Sequence, residues 1–369
     1  MPGILLAVIL LIVYGSLYPW EFHSVTGSAF SVLLAGSQVD LDRFGLRDIA
    51  VNLVLYVPLG TTACLAFRRS RFRYVYVALF GAVLSTAVEI AQVYTLTRRP
   101  SLVDVVCNVG GAALGALLVG LFDLDETRPH AAAQPGDRGA RVLLIIGAAY
   151  FLFPLFPVYG RAALYEKLRV IYHLPVLQKE IALSFAAVWF ALGRLGWKAW
   201  PRLPRWWLAA SILLVPAQLF IVERQPQASG FIGAAAGVGA FELWGQRSQT
   251  AICFAWVFAL VILLRGLAPF HWQSVPQDFS WVPFGASLGM EWQPAIAILL
   301  EKVFWYFTAI RILRDAGMRW RTATMVTAEL LAAIEIAQIW LPGRSPEITD
   351  PLLAVLGGAV MWLLRSEPL

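Results

Sequence analysis

The sequence predicts an all-α, polytopic integral membrane protein with about twelve transmembrane helices in three parallel four-helix repeats. Composition is the first reason: of 369 residues, 59% are hydrophobic and 14% charged, whereas a soluble domain carries about 25% charged residues. Length is the second, because apolar runs of about 20 residues, enough to cross a bilayer, recur from end to end. The third is a polar-studded stretch that returns at fixed offsets, which indicates internal repetition.

The first helix is expected over residues 3 to 18, stopped at Tyr18-Pro19-Trp20, where a proline sits between interfacial aromatics. The opening run lacks a basic leader and a small-residue cleavage site, so it reads as a retained helix. Residues 21 to 47, with His23, Asp40, Asp42, Arg43 and Arg47, are too polar to span, although SAFSVLLAG suits a short surface or re-entrant helix. Spans are then expected over 48 to 67, 74 to 95 and 102 to 122. In the last of these, Gly111 and Gly115 have the G-x-x-x-G spacing that lets another backbone come close. These elements make a first unit, residues 1 to 125, followed by a charged linker rich in Pro, Ala and Gly over 126 to 141.

A second unit, 142 to 246, should hold spans at 142 to 160, 180 to 197, 206 to 222 and 229 to 244. The third, 247 to 369, should hold spans at 250 to 268, 294 to 313, 322 to 341 and 349 to 364. An even number of spans per unit makes the repeats parallel. The first spans end alike, at YPWEF, FPVYG and APFHW.

The repeated stretch runs from Thr86 to Gly111. Shifted by 246 positions, Glu89, Gln92, Arg98, Pro100, Asp104 and Gly111 meet Glu335, Gln338, Arg344, Pro346, Asp350 and Gly357. Shifted by 126, Gln92, Arg98, Pro100 and Gly111 meet Gln218, Arg224, Pro226 and Gly237, but Val215 replaces the Glu and Gly230 the Asp. With NLVLYVPLG (Asn52, Pro58, Gly60) upstream and DVVCN (Asp104, Asn108) downstream, the first copy resembles the VanZ family of membrane proteins. The resemblance covers residues 1 to 122 and returns over 250 to 364 with Ala354 in place of the Asn. It implies a cell-envelope protein linked to glycopeptide resistance, especially to teicoplanin, and does not specify a reaction.

On a helix Glu89 and Gln92 share one face, with Ser85 extending it. Asp104 and Asn108 share another near the start of the following helix, where the dipole favours a carboxylate. Arg98 lies in the turn between them, and the preceding span brings Asp48 and Asn52 to a comparable depth. An ionisable group within a membrane is costly, so such a cluster is a candidate site. A purely structural alternative is a clasp in which Glu89 and Asp104 pair with Arg98. Arginine beside amides suits a phosphate or carboxylate, which points to the polar part of a lipid-linked envelope precursor or a lipoglycopeptide.

The candidate ligand-binding residues are therefore Asn52, Glu89, Gln92, Arg98, Asp104 and Asn108. Glu335, Gln338, Arg344 and Asp350 form a second set in the third unit, where Glu301 and Lys302 read as a local ion pair. A secondary transporter or lipid flippase is an alternative, and an intramembrane enzyme using Glu89 and Asp104 is a third. Neither a cofactor nor a metal is implied: Cys64, Cys107 and Cys253 have no paired spacing. The net charge of +6 lies mostly in short loops between apolar spans and so reads as topology rather than nucleic-acid binding.

Arginines and lysines concentrate in the hairpins after the second span of each unit: Arg68, Arg69, Arg71 and Arg73; Lys198, Arg202 and Arg205; Arg311, Arg314, Arg319 and Arg321. The positive-inside rule then places these hairpins and both termini in the cytoplasm and the motif turns outside. The segment 161 to 179 runs against this, with four basic residues on the outer side. A membrane-impermeant thiol reagent on intact cells should label Leu96→Cys and spare Ser70→Cys; the reverse pattern would invert the topology.

Overall fold

The computed structural model describes residues 2–25, 28–35, 43–96, 100–122, 137–154, 156–158, 160–172, 178–204, 206–222, 224–225, 227–247 and 249–364. Among the described residues there are helices, turns and isolated β-bridges but no strand. The chain forms two compact units, Met1–Ala133 and Gln134–Leu369. The residues expected to form a second and a third unit thus pack as one body.

The first unit contains α1 (Pro2–Leu17), α2 (Ala29–Ala35), α3 (Arg43–Ala66), α4 (Arg73–Gln92) and α5 (Leu102–Leu121). Its tightest contact is α3 on α5, and glycine makes it possible. A Cβ at Gly111 would lie 2.0 Å from the Leu53 carbonyl oxygen, and one at Gly115 would lie 2.1 Å from that of Val57. The Thr61 hydroxyl crosses the same seam to the Gly115 carbonyl at 3.1 Å. The small-residue spacing in the sequence is therefore a backbone-to-backbone packing face.

The second unit contains α6 (Arg138–Leu152), α7 (Arg161–Tyr172), α8 (Lys179–Ala199), α9 (Trp206–Ser211), α10 (Leu214–Ala217), α11 (Ala228–Trp244), α12 (Thr250–Leu267), α13 (Gly285–Leu288), α14 (Trp292–Asp315), α15 (Trp320–Gln338) and α16 (Thr349–Leu363). Its core is aromatic, with Trp189, Phe258 and Phe304 fully buried and Phe185 stacked on Trp189 at 5.7 Å. At one end Arg311 pairs with Asp137 at 2.6 Å and Asp315 at 3.0 Å, and Lys198 also reaches Asp315. These contacts tie α6, α8 and α14 together. Part of the positive charge counted as a topology signal thus has a structural partner.

Two local readings change. The span expected over 206 to 222 is broken into α9, α10 and a 3₁₀ turn at Gln218–Phe220, since Pro216 cannot donate to a continuous helical ladder. The segment expected as a long polar loop after residue 160 contains α7. Its Lys167 ammonium donates to the carbonyls of Ile221 and Arg224, the latter at 2.7 Å, and burial pushes it below the usual lysine range. This cation serves as a clasp, so it carries little weight in the topology count.

Among the described residues, three helices are both long and apolar enough to cross a membrane: Arg73–Gln92, Leu102–Leu121 and Thr250–Leu267. Pro2–Leu17, Val51–Ala66, Trp206–Phe220 and Thr349–Leu363 are apolar but shorter.

Candidate functional site

In the first unit the face expected on α4 is present and buried. Glu89, at 3% exposure, accepts the backbone N–H of Ser101 at 2.9 Å. Ser101 in turn caps α5, its hydroxyl accepting from Val103 N at 3.1 Å. The carboxylate is therefore offset in part by an amide at a helix start, where the dipole also favours it. Asn108 donates to the Ser85 hydroxyl at 2.8 Å, and Gln92 donates to the Ser16 carbonyl at the end of α1 at 3.0 Å.

Glu89, Asn108, Ser85 and Ser101 are thus brought together at the α4–α5 hairpin, while Gln92 faces α1. Asp104 is half-buried in the first turn of α5. Asn52 is half-buried on α3, next to the Leu53 carbonyl that meets Gly111. Arg98 lies outside the described residues, as does the side chain of Asp48.

In the second unit the corresponding positions repeat these bonds. Glu335, at 2% exposure, accepts from Glu347 N at 2.8 Å, and Gln338 donates to the Gly266 carbonyl at 3.0 Å. Gln218 donates to the Phe151 carbonyl at 3.2 Å. Each of these three acceptor carbonyls lies three residues before the proline that follows the helix: Pro19, Pro154 and Pro269. The middle helix end therefore corresponds at Phe153-Pro154, rather than at the FPVYG expected from sequence.

The motif arginines also differ from expectation where they are described. Arg344 donates through Nε to the Ala268 carbonyl and through Nη2 to that of Arg265, both at 2.8 Å. Arg224 does the same to Phe153 and Tyr150 at 2.8 Å. Among the described residues Arg344 makes no ion pair with Glu335 or Asp350. Both arginine forks hold the end of the preceding helix, satisfying carbonyls that a helix end leaves without partners.

Glu301 and Lys302 are not a local pair. Neighbours on a helix point about 100° apart, and here Glu301 pairs with Arg265. Lys302 lies 2.6 Å from Asp350 and 3.7 Å from Glu347. The Lys302–Asp350 approach is a close charge contact without hydrogen-bond alignment at Oδ1, while Oδ2 accepts from the Tyr306 hydroxyl at 2.5 Å.

These groups line a cavity of about 370 Å³ bordered by α12, α13, α14, α15 and the start of α16. Its polar wall contains Arg265, Lys302, Glu335 and Asp350, and its apolar wall includes Ile262 and Ile298. The cavity also takes in Gln338 and Arg344, so all four candidates of the third-unit set are gathered there.

Sequence reasoning missed an aromatic on the second helix of each segment. Tyr56 is buried with its hydroxyl toward Ser85, although without good hydrogen-bond geometry. Trp189 Nε1 donates to Ser211 at 3.1 Å, and Tyr306 serves Asp350. Their polar tips were invisible among so many apolar neighbours.

An all-helical membrane protein with polar helical hairpins is the class that these features define. Within it, residues 3–123 match the family model described as VanZ/LLP1, so the first unit is VanZ-like. No curated protein and no solved structure matches the chain.

The clasp geometry predicts how Glu89 responds to substitution. Glu89→Gln keeps an oxygen that can accept the Ser101 N–H, whereas Glu89→Leu leaves that donor without its partner, at a cost of roughly 1 to 3 kcal/mol. Thermal unfolding of the purified protein in detergent should therefore show a larger loss for Glu89→Leu. Equal melting of the two variants would remove the clasp from the account.

Proposed function

We propose that this protein is a VanZ-like component of the cell envelope that binds the polar part of a lipid-linked envelope precursor or a lipoglycopeptide, altering susceptibility to teicoplanin-type glycopeptides. The observation that carries this reading is the cavity of about 370 Å³ in the second unit. Cations and carboxylates share it with aliphatic side chains on the helices of a strongly apolar chain, a lining suited to an amphiphile. The Glu89 hairpin of the first unit is the related site, with Asn52, Gln92, Arg98, Asp104 and Asn108 around it.

The proposal includes an architecture of three parallel four-helix repeats, about twelve spans, with both termini cytoplasmic and the motif turns external. What supports the repetition is a set of matching bonds. His23 N donates to Tyr94 O at 2.8 Å, Val158 N to Phe220 O at 2.8 Å, and Gln273 N to Trp340 O at 2.9 Å. The three motif glutamines hold the preceding helix ends in the same manner. Homologous backbone bonds at matching positions are difficult to obtain from unrelated hairpins.

Production of the chain in a susceptible bacterium should reduce its susceptibility to a teicoplanin-type lipoglycopeptide. Glu335→Gln, which preserves the acceptor for Glu347 N, should abolish the effect at an unchanged level in the membrane. Unchanged susceptibility with the wild-type chain present in the membrane would overturn the reading.

A further inference from the structure

The cavity described above has an apolar neighbour. A second, apolar cavity of about 320 Å³ lies along the same three helices, α12, α14 and α15, and shares Ile262 with the first. Along α12 the change is ordered: Ile252, Ala255 and Ala259 line the apolar part, Ile262 both parts, and Arg265 and Gly266 the polar part. On α14, Glu301, Lys302 and Tyr306 face the polar part, while Ala309 and Ile312, with Ala316 just past its end, face the apolar part. On α15, Glu335 and Gln338 stand at the polar end and Val326, Thr327 and Leu330 at the other.

From Ile252 to Ile262 the helical rise gives the apolar part a length of roughly 15 Å. α12 is, among the described residues, one of three helices long and apolar enough to cross a membrane, and a lining of this kind suits an acyl chain. Trp256, which also lines it, is 73% exposed.

The charge of the polar part selects the head group. Glu301, Glu335, Glu347 and Asp350 oppose Arg265, Lys302 and Arg344, leaving a formal excess of one negative charge. The cations are already engaged: Arg265 with Glu301, Lys302 with Asp350 and Glu347, and the Arg344 fork with two carbonyls. Glu335 and Asp350 stand together with Lys302 as the cation they share, and a second cation, an ammonium, would complete the set.

We propose that the second unit holds a two-part site for one amphiphile, with a primary ammonium in its head beside Glu335 and Asp350 and its acyl chain along the apolar wall from Ile262 to Ile252. The proposal rests on the cavity used for the functional reading but not on any effect on drug susceptibility. Two sources share this chemistry, an aminophospholipid of the bilayer and an amine-bearing acylated glycopeptide or precursor.

Native mass spectrometry of the full chain, released from detergent with defined lipids, tests it. The wild type should retain phosphatidylethanolamine about tenfold more tightly than its N-acetylated form or phosphatidylglycerol, the scale of one charge-assisted hydrogen bond. Glu335→Gln should remove that preference, and Ala259→Phe, which fills the apolar part, should weaken retention of every lipid tested. Displacement of bound phosphatidylethanolamine by an amine-bearing lipoglycopeptide would assign the site to the second source; retention against it would assign the site to the bilayer lipid. Equal retention of the amine and its acetylated form by the wild type would overturn the proposal, whatever the variants do, as would full retention of lipid by a folded Ala259→Phe protein. Absence of an amine preference in the wild type, with an intact susceptibility effect, would sink this site alone. Intact binding without a susceptibility effect would sink the functional reading alone.

Discussion

A buried glutamate accepting a backbone amide hydrogen at or just before the start of the next helix is the interaction on which the rest of this structure depends. A carboxylate within the apolar part of a membrane protein costs about 2.5 to 3.5 kcal/mol at a helix centre. An amide at a helix start needs an acceptor that the helix itself does not supply. Placing Glu89 against Ser101 N answers both needs at once, and Glu335 does the same for the amide of Glu347 in the turn before α16. Three residues further along the same face, Gln92 and Gln338 reach back to the end of the first helix. One helix face thus ties together three helices of a segment.

At Val215, where the shifted stretch has no glutamate, that pairing is missing, and Pro216 breaks the helix. Trp206–Ser211, Leu214–Ala217 and the 3₁₀ turn at Gln218–Phe220 stand where the other segments have one continuous helix. Gln218 nevertheless keeps its bond to the first helix, and Arg224 keeps its carbonyl fork. The glutamine and arginine contacts therefore belong to the architecture, whereas the carboxylates belong to segments that also place charge near a hairpin or cavity.

Much of this was legible because buried polar residues cannot drift as their apolar neighbours do. Glu89, Gln92 and Asn108 stood out by type and spacing, and Gly111 and Gly115 announced a close helix contact that the Leu53 and Val57 carbonyls now fill. The role of the arginines was not legible, because a guanidinium gives no sequence sign of whether it meets a carboxylate or a carbonyl. Tyr56 and Tyr306 were hidden for a different reason, since an aromatic in an apolar run shows no contrast. Lys302 was misread because adjacency in sequence suggested a pair with Glu301 that helical geometry forbids. Its true partners lie 45 and 48 positions away, at Glu347 and Asp350.

The hairpin carboxylates are structural through one oxygen, and the cavity around Glu335 is the site proposed for a ligand. Amide hydrogen exchange at Ser101 and Glu347, measured on the purified protein in detergent or lipid, tests that division most directly. Both amides should exchange slowly in the wild type, and only the Glu347 amide should speed up when Glu335 is replaced by leucine. Exchange of both amides at the rate of open loops in the wild type would contradict the clasp on which the structure depends.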